Sequence, residues 1–352
     1  MRRPSVRDDL ATVAPYISPQ QQARYRMNVN ESPYSPPPAV LEEAFAEVRQ
    51  REVNRYPERD AAPLQEAVAA HLGVAPESIW LANGSNEVFQ HLFLAFGGSG
   101  RKTLVFEPTY SLHTLIPRIT GTAVATRPRT DGFGIDPDEA RRAVAEERPD
   151  LVLLCSPNNP TGNLAPPDLV RATAEGASLV VVDEAYVEFA RPGSSVLDLV
   201  EELPNVVVVR TFSKAWRLAG VRLGYLVGAP SIVRDLLRVR LPYHLSVFTQ
   251  AMGTAALRHA ADALEHVGAI VAERERMGAG LSALGLRVHP SEANFVLFDV
   301  DDPGRVWRDL ADRGVLVRRY DGAPRLERSL RVTAGLPDET DAFLAAMDEV
   351  VG

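Results

Sequence analysis

Lysine is almost missing from this chain. Of the 38 basic residues in 352, only Lys102 and Lys214 are lysines, and the other thirty-six are arginines. Cysteine is reduced to Cys155, which excludes an intramolecular disulfide and any cysteine-rich metal site. Inside Leu151-Val-Leu-Leu-Cys155 it reads as a buried strand residue. The seven histidines are scattered, without the close pairs that zinc sites use, and no metal is expected. No apolar run approaches the length of a membrane span, and the charged opening Met1-Arg-Arg-Pro-Ser-Val-Arg-Asp-Asp-Leu10 has no apolar segment behind it. A soluble, cytoplasmic protein with no membrane partner is therefore expected. Positive charge is outweighed by negative and not clustered: the net charge is -8, with no lysine and arginine block, so a nucleic-acid partner is not expected.

Apolar residues are plentiful, 45% of the chain, enough to bury a sizeable core. The length corresponds to about two domains of ~100–200 residues each. From about residue 64 to residue 227, short apolar runs alternate with amphipathic stretches: Ile79 to Leu81, Thr103 to Phe106, Leu151 to Cys155, Leu179 to Val182, Val206 to Val209 and Val221 to Val227. They predict strands of a largely buried sheet, most of them separated by helices, in an α/β arrangement. After Pro230 helical spacing takes over, and an Ala/Glu/Arg-rich stretch from about Thr249 to Leu284 reads as a connection between domains. Beyond Gly285 a smaller α/β unit is predicted, with strands near Asn294 to Phe298, Val315 to Val317 and Leu330 to Thr333, and helices near Pro303 to Arg313 and Pro337 to Val351. The run Gly97-Gly-Ser-Gly-Arg-Lys-Thr103 has the look of a phosphate loop, but it precedes a strand instead of following one and reads better as a helix-to-strand connection.

Scarcity is what singles out Lys214. Arginine serves for most surface ion pairs and phosphate contacts, but its guanidinium stays protonated and can neither form a Schiff base nor shuttle protons near neutrality. A chain so averse to lysine keeps one by accident or for chemistry that arginine cannot do. Lys214 lies in Arg210-Thr-Phe-Ser-Lys-Ala-Trp-Arg-Leu-Ala-Gly-Val-Arg-Leu-Gly-Tyr225, directly after the run Val206 to Val209. That places it at a strand's carboxyl end, where open α/β sheets put their ligands.

Four segments, each following a predicted strand, together supply what pyridoxal 5'-phosphate requires. Asn83-Gly-Ser-Asn-Glu87 opens a helix, so the backbone amides of Gly84, Ser85 and Asn86 are free for a phosphate dianion, although an N-cap without a ligand explains the same residues. Asp183 ends the run Leu179 to Val182, where a carboxylate would keep a pyridinium nitrogen protonated and make the ring an electron sink. Tyr186 and Asn159, the latter in Ser156-Pro-Asn-Asn-Pro-Thr-Gly162, are candidates for the cofactor's phenolic oxygen, though that run is otherwise an ordinary turn. Tyr110 follows the strand Thr103 to Phe106 and could stack on the ring. Thr211, Ser213 and Arg222 flank Lys214 and complement the same phosphate.

These motifs resemble those of the fold-type I pyridoxal-phosphate-dependent aminotransferases and, within them, of the histidinol-phosphate aminotransferases. The likeness runs almost end to end, through Tyr25 to Tyr34, Asn54 to Pro57, Asn83 to Glu87, Pro108 to Tyr110, Asn158 to Asn163, Asp183 to Phe189, Thr211 to Tyr225, Leu241 to Ser246, Ala293 to Leu297 and Leu330 to Gly335. It implies a large domain with a mostly parallel, seven-stranded sheet and a smaller C-terminal α/β domain. The expected division is an arm over residues 1–30 packing on the small domain, a large cofactor domain over 31–240, and an interdomain helix with the small domain over 241–352. Carried over by residue, the resemblance implies that Lys214 holds the cofactor covalently, Asp183 pairs with the ring nitrogen, and Gly84, Ser85, Asn86, Thr211, Ser213 and Arg222 hold the phosphate. Tyr56 is implied to reach the phosphate of the other subunit, which makes the expected assembly a homodimer with shared active sites. Arg331, with Arg318 as a second candidate, is implied to bind the substrate's anionic end, and Tyr16 and Asn159 to lie near the substrate.

The function so implied interconverts L-histidinol phosphate and 2-oxoglutarate with imidazole-acetol phosphate and L-glutamate. The alternatives are a relative acting on aromatic or specialised-pathway amino acids, a phosphothreonine decarboxylase-like lyase, and a cofactor-binding regulatory module. Three residues depart from the common family pattern, Ser32, His113 and Trp216, and each is a candidate for reshaping the substrate pocket.

Overall fold

Runs of β-branched residues build the central sheet. Val180 to Val182 and Val206 to Val209 lie in neighbouring strands, and all of these valines are buried. Each fully buried valine contributes about 1.5–3 kcal/mol relative to an exposed one. In the computed structural model of the protein, residues 5–11, 13–14 and 21–351 are described. The strands, in chain order, are β1 (Tyr25–Arg26), β2 (Ile79–Ala82), β3 (Lys102–Glu107), β4 (Ala123–Pro128), β5 (Leu151–Cys155), β6 (Leu179–Asp183), β7 (Val206–Thr211), β8 (Gly224–Val227), β9 (Arg287–His289), β10 (Phe295–Asp299), β11 (Val315–Leu316), β12 (Arg318–Arg319) and β13 (Ser329–Thr333).

Seven of them form one sheet in the order β2-β8-β7-β6-β5-β3-β4, parallel throughout except where β8 meets β2 and β7. Apolar layers cover both faces. Leu154, Val180, Val182, Val206 and Val208 belong to one cluster, while the intervening Leu153, Val181, Val207 and Val209 belong to another. This alternation explains why the strands read as unbroken apolar runs. A second, antiparallel sheet, β12-β13-β10-β9, packs its Phe295, Phe298, Leu330 and Val332 with Phe343 of the helix Pro337–Val351. β1 pairs in parallel with β11.

Some expected elements differ in extent. The predicted strand from Val221 to Val227 begins only at Gly224, because Ala219–Val221 forms a 3-10 turn and Arg222 takes a left-handed backbone (φ 57°) that turns the chain into the strand. The stretch from Thr249 to Leu284 is three helices, Val247–Arg258, Ala260–Leu264 and Val267–Ala283. The first of them packs in the core of the large sheet through Ala251, Met252, Ala255 and Ala256, and the small-sheet core is joined from Ile270 onward. The chain therefore passes from one core to the other near residues 264–270, within the helical stretch read as a connection. The amino-terminal segment is likewise divided. β1 adds to the small unit, whereas Arg7 donates to the carbonyl of Ile119 at the end of the helix Leu112–Ile119, beside the large sheet. β4 escaped notice in the sequence because it is an edge strand, mostly half-buried or exposed, whose weak alternation carries little signal. Among the described residues, no helix is long and apolar enough to cross a membrane.

Candidate active site

The topology brings the candidate residues to one edge of the sheet. β3, β5, β6 and β7 are parallel, so Tyr110, Asn159, Asp183 and Lys214 all follow carboxyl ends on the same side. β8 runs the other way, which brings the residues before it, including Arg222, to that edge too. β2, antiparallel to β8, delivers Gly84, Ser85 and Asn86 there. These residues open onto a cavity of about 400 Å³, lined among others by Ser85, Asn86, Tyr110, Asn159, Asp183, Tyr186, Thr211, Ser213, Lys214, Arg222, Arg318 and Arg331.

At one end lies an anion cradle. The helix Ser85–Phe96 starts at the cavity, and the first amides of a helix have no intrahelical carbonyl to bond. Thr211 Oγ1 donates to Ser213 Oγ (3.0 Å), and Arg222 Nη1 donates to the same Ser213 oxygen (3.3 Å). Gly84 sits at φ 85°, where a side chain is strained, and a Cβ there would lie 2.6 Å from Arg222 Nη2 and displace the end of that side chain. Gly224 is constrained from below, since its Cβ would lie 2.5 Å from the amide nitrogen of Ser85. Two hydroxyls, a guanidinium and free amides around one space are the complement of a phosphate dianion.

The centre of the cavity holds the lysine. Lys214 Nζ donates to the carbonyl of Val29 (3.1 Å) and lies 5.9 Å from the centre of the Tyr186 ring. Burial first, then the Arg331 and Arg222 guanidiniums, bring its pKa down to about 8, against the opposing pull of Glu31 and Asp183. Such an amine is neutral often enough near neutrality to act as a nucleophile and a base. Tyr186, buried, accepts from Asn30 Nδ2 (3.0 Å) and Asn159 Nδ2 (3.4 Å). Burial raises its phenol well above the usual range, so the hydroxyl is a neutral donor. Tyr110 lies on the cavity wall with its hydroxyl 3.4 Å from Asn86 Oδ1.

Asp183 lies at the floor, buried, with Oδ1 accepting from the amide of Ala185 (3.1 Å) and Oδ2 2.9 Å from His113 Nε2. Cys155 Sγ is 3.9 Å from the same Oδ2. These three residues bring nitrogen, sulfur and oxygen donors within 4.8 Å of one another, and the His113 to Asp183 hydrogen bond already engages the carboxylate oxygen they share. Burial and the nearby Asp183 raise the Cys155 thiol well above its ordinary pKa.

The anion-binding candidates line the opposite wall. Arg331 Nη1 donates to Asn159 Oδ1 (2.5 Å) and Nη2 to the carbonyl of Asn28 (2.7 Å), while its Nε is buried without a partner. Arg318 lies directly across from Arg331 in the β12–β13 ladder. One expected residue, Tyr56, is not brought to this cavity. Tyr56 is 80% exposed, stacked on Tyr243 at 4.5 Å between ring centres. Tyr16 lies outside the described residues.

Of the three departures, only His113 touches a residue of the site, through its hydrogen bond to Asp183, and it too lies outside the cavity lining. Trp216 is packed in the core against Phe212 (4.8 Å) and His71 (5.1 Å), and Ser32 accepts from the amide of Tyr34 (3.3 Å). Neither lines the cavity. Sequence reading missed the role of Asn28 and Asn30, which line it from the segment that follows β1. Asn30 has a left-handed φ of 58° and is held by Thr333 Oγ1, which donates to its Oδ1 (3.0 Å). Asparagine's tolerance of that conformation was a signal available in the Asn-Val-Asn pattern.

Comparison with known proteins agrees with this geometry. The family described as aminotransferase class I and II matches residues 25–346. A histidinol-phosphate aminotransferase of Frankia casuarinae is 48% identical over 97% of this chain and 89% of its own length. One from Mycolicibacterium smegmatis is 47% identical over 99% of this chain and 93% of its own. The crystal structure of the histidinol-phosphate aminotransferase of Sinorhizobium meliloti, in complex with pyridoxal-5'-phosphate, superposes with a TM-score of 0.87 at 28% identity, covering 94% of this chain and 92% of that one. By these matches the chain belongs to the class I and II aminotransferases and, within them, to the histidinol-phosphate aminotransferases.

Proposed function

We propose that the protein transfers an amino group from L-histidinol phosphate to 2-oxoglutarate, yielding imidazole-acetol phosphate and L-glutamate, with pyridoxal 5'-phosphate held in the cavity. The observation that carries the reading is the convergence of the one cavity lysine with a phosphate cradle on one side and two cross-strand guanidiniums on the other. The residues fit the cofactor. Gly84, where a Cβ would lie against Arg222, keeps the cradle open for the cofactor, and the buried Arg331 Nε, which has no hydrogen-bond partner, is a donor available to the substrate's anion. Bound there, pyridoxal phosphate supplies an aldehyde that condenses with amines and a protonated ring that withdraws electrons from the substrate's Cα.

In this reading Ser85, Asn86, Thr211, Ser213 and Arg222 bind the cofactor phosphate. Asp183, held by His113, keeps the proton on the ring nitrogen, and Asn159 and Tyr186 donate to the phenolic oxygen. Tyr110 covers the ring. Lys214 Nζ would hold the cofactor through its aldehyde, and as a buried amine that is partly neutral near neutrality it would move the proton at the substrate's Cα. Arg331, joined by Arg318, receives the donor's phosphate in one half-reaction and glutamate's carboxylate in the other, since bidentate guanidinium bonding suits both anions.

The assembly is inferred to be a homodimer with shared sites. Tyr56 is exposed and stacked on Tyr243, and Phe45, Val53, Leu241 and Phe248 are exposed apolar residues as well, which supports it. The two cores support a division into a large cofactor domain and a small C-terminal domain, and the near absence of cysteine supports a cytoplasmic setting.

A single-turnover absorbance experiment on the cofactor-loaded protein tests the reading. Rapid loss of the cofactor's visible band with L-histidinol phosphate and with L-glutamate is expected. Loss with glutamate and L-phenylalanine but not with L-histidinol phosphate would move the protein to the aromatic class, and carbon dioxide release from phosphothreonine without 2-oxoglutarate would move it to the lyases.

A further inference from the structure

Arg318 and Arg331 stand on one hairpin. β12 and β13 are antiparallel neighbours, Arg318 pairs across from Arg331, and residues 320–328 connect the two strands. Lys214 and Asp183 belong to the other sheet, so the spacing between the reactive amine and the anion-binding guanidiniums depends on how the hairpin is held against that sheet. Arg331 is tied directly, through Asn159 Oδ1 and the carbonyl of Asn28. Arg318 has no carboxylate at ion-pair distance among the described residues, and its guanidinium lies 6.0 Å from the ring of Tyr320, itself on the hairpin. Its placement follows the hairpin's.

The tip of that hairpin is gripped from the large sheet. On leaving β4 the chain makes a tight turn, closed by Thr130 N to Gly134 O (2.9 Å) and Phe133 N to Thr130 O (2.9 Å). Phe133, at a left-handed φ of 60°, buries its ring against Leu297 and Leu326, with Tyr320 and Ala323 packed alongside. From the opposite side Arg325, also left-handed at φ 66°, donates to the carbonyls of Arg129 and Thr130 (the latter at 2.9 Å) and to Asp131 Oδ1 (3.3 Å). Its guanidinium lies 5.3 Å from the centre of the Phe133 ring. The turn is braced from within by the buried Arg129, which donates to Phe106 O, Phe133 O and Asn158 Oδ1. Asn158 adjoins Asn159, the partner of Arg331. Two non-glycine residues held at left-handed dihedrals persist only where the surroundings over-determine them. Here the surroundings are each other.

We propose that Phe133 and Arg325 form a clasp between the two sheets that positions Arg318 for the more highly charged of the two anions the site receives. This rests on the functional reading above, in which a phosphate dianion and a carboxylate share the pocket. Arg331, anchored on its own, suffices for a carboxylate, whereas a dianion draws on both guanidiniums and so depends on the clasp. Neither clasp residue touches substrate; both are positioning residues.

The test compares holoenzyme variants Arg325→Met, Arg325→Lys and Phe133→Ala in single-turnover reactions with L-histidinol phosphate and with L-glutamate. In Arg325→Met the half-saturating concentration of the phosphate donor rises about tenfold, the scale of one weakened charge-assisted contact, and that of glutamate about twofold. Limiting rates stay within about threefold, as expected when binding and not chemistry is affected. The cofactor's visible band and its pH dependence do not move. Phe133→Ala shifts the same constants in the same direction, and Arg325→Lys recovers part of the loss because an ammonium can still donate to one carbonyl. Unchanged half-saturation, equal loss toward both donors, or loss confined to the limiting rate overturns the clasp. Should the wild type fail to convert L-histidinol phosphate, the functional reading falls by itself. The clasp is then read from inorganic phosphate as a competitive inhibitor of the glutamate half-reaction: about tenfold weaker inhibition in Arg325→Met supports it, on the same energetic scale, and unchanged inhibition overturns it.

Discussion

The depressed basicity of Lys214 can be measured without any substrate. Its pKa lies near 8 against an ordinary 10.5, chiefly through burial and then through the positive charge of Arg331. At pH 7 that leaves about one amine in ten neutral, against about one in three thousand for an ordinary lysine. The displacement corresponds to about 3 kcal/mol in favour of the neutral form, less to the extent that water in the cavity screens it. Cofactor-free protein mixed with pyridoxal, which lacks the phosphate and so bypasses the cradle, should form its coloured adduct at a rate that rises with pH and levels off above about 8. Arg331→Gln should shift that inflection upward, though not to 10.5, because burial is the larger cause. The sign for stability follows from the same displacement. Between about pH 8 and 10.5 the unfolded chain holds a proton that the folded protein does not, so the stability of the cofactor-free protein rises with pH across that window. Lys214→Met should therefore stabilise the cofactor-free protein at pH 7, by up to about 3 kcal/mol, with the gain gone above about pH 10.5. An adduct rate that keeps climbing through pH 10 without inflection, together with no pH-dependent gain in Lys214→Met, would refute the reasoning.

Three further outcomes are expected. His113→Leu, which removes the hydrogen bond to Asp183 Oδ2, should lower kcat about tenfold with little change in KM, and His113→Gln should recover part of it; steady-state kinetics of both variants check this. Gly84→Ala should weaken cofactor binding about a hundredfold or more, read by equilibrium titration of the visible band, because its Cβ would displace the Arg222 guanidinium and the residue would sit at φ 85°. Mixing Tyr56→Ala with Lys214→Ala and allowing subunits to exchange should restore about a quarter of wild-type activity if each site draws on both chains. No recovery after demonstrated exchange would mean self-contained protomers.

Much of the site was legible in the chain because its chemistry is local. Most of the candidate cofactor-facing groups end a strand or follow one by two to four residues, so the strand pattern locates them too: Asp183 ends β6, Lys214 follows β7 and Ser85 follows β2, whereas Arg222 precedes β8. Lys214 stood out by composition alone, in a chain that uses arginine wherever arginine suffices. His113 was less legible. It lies on the helix after β3, seventy residues from Asp183, and nothing in its neighbours announces the 2.9 Å hydrogen bond that the parallel pairing of β3, β5 and β6 creates. Trp216 and Ser32 drew attention as departures from a family pattern, and the fold turns both away from the cavity.

The sequence by itself determined the α/β alternation, the cofactor chemistry and the order of its ligands, because hydrophobic period and strand-end polarity are properties of short segments. Only the tertiary structure decided how the second sheet meets the first. The clasp of Phe133 with Arg325, the pairing of Arg318 opposite Arg331 and the hold of Thr333 on Asn30 join residues 192, 13 and 303 positions apart. Contacts of that kind depend on strand register and on how distant segments pack together, which no local pattern encodes.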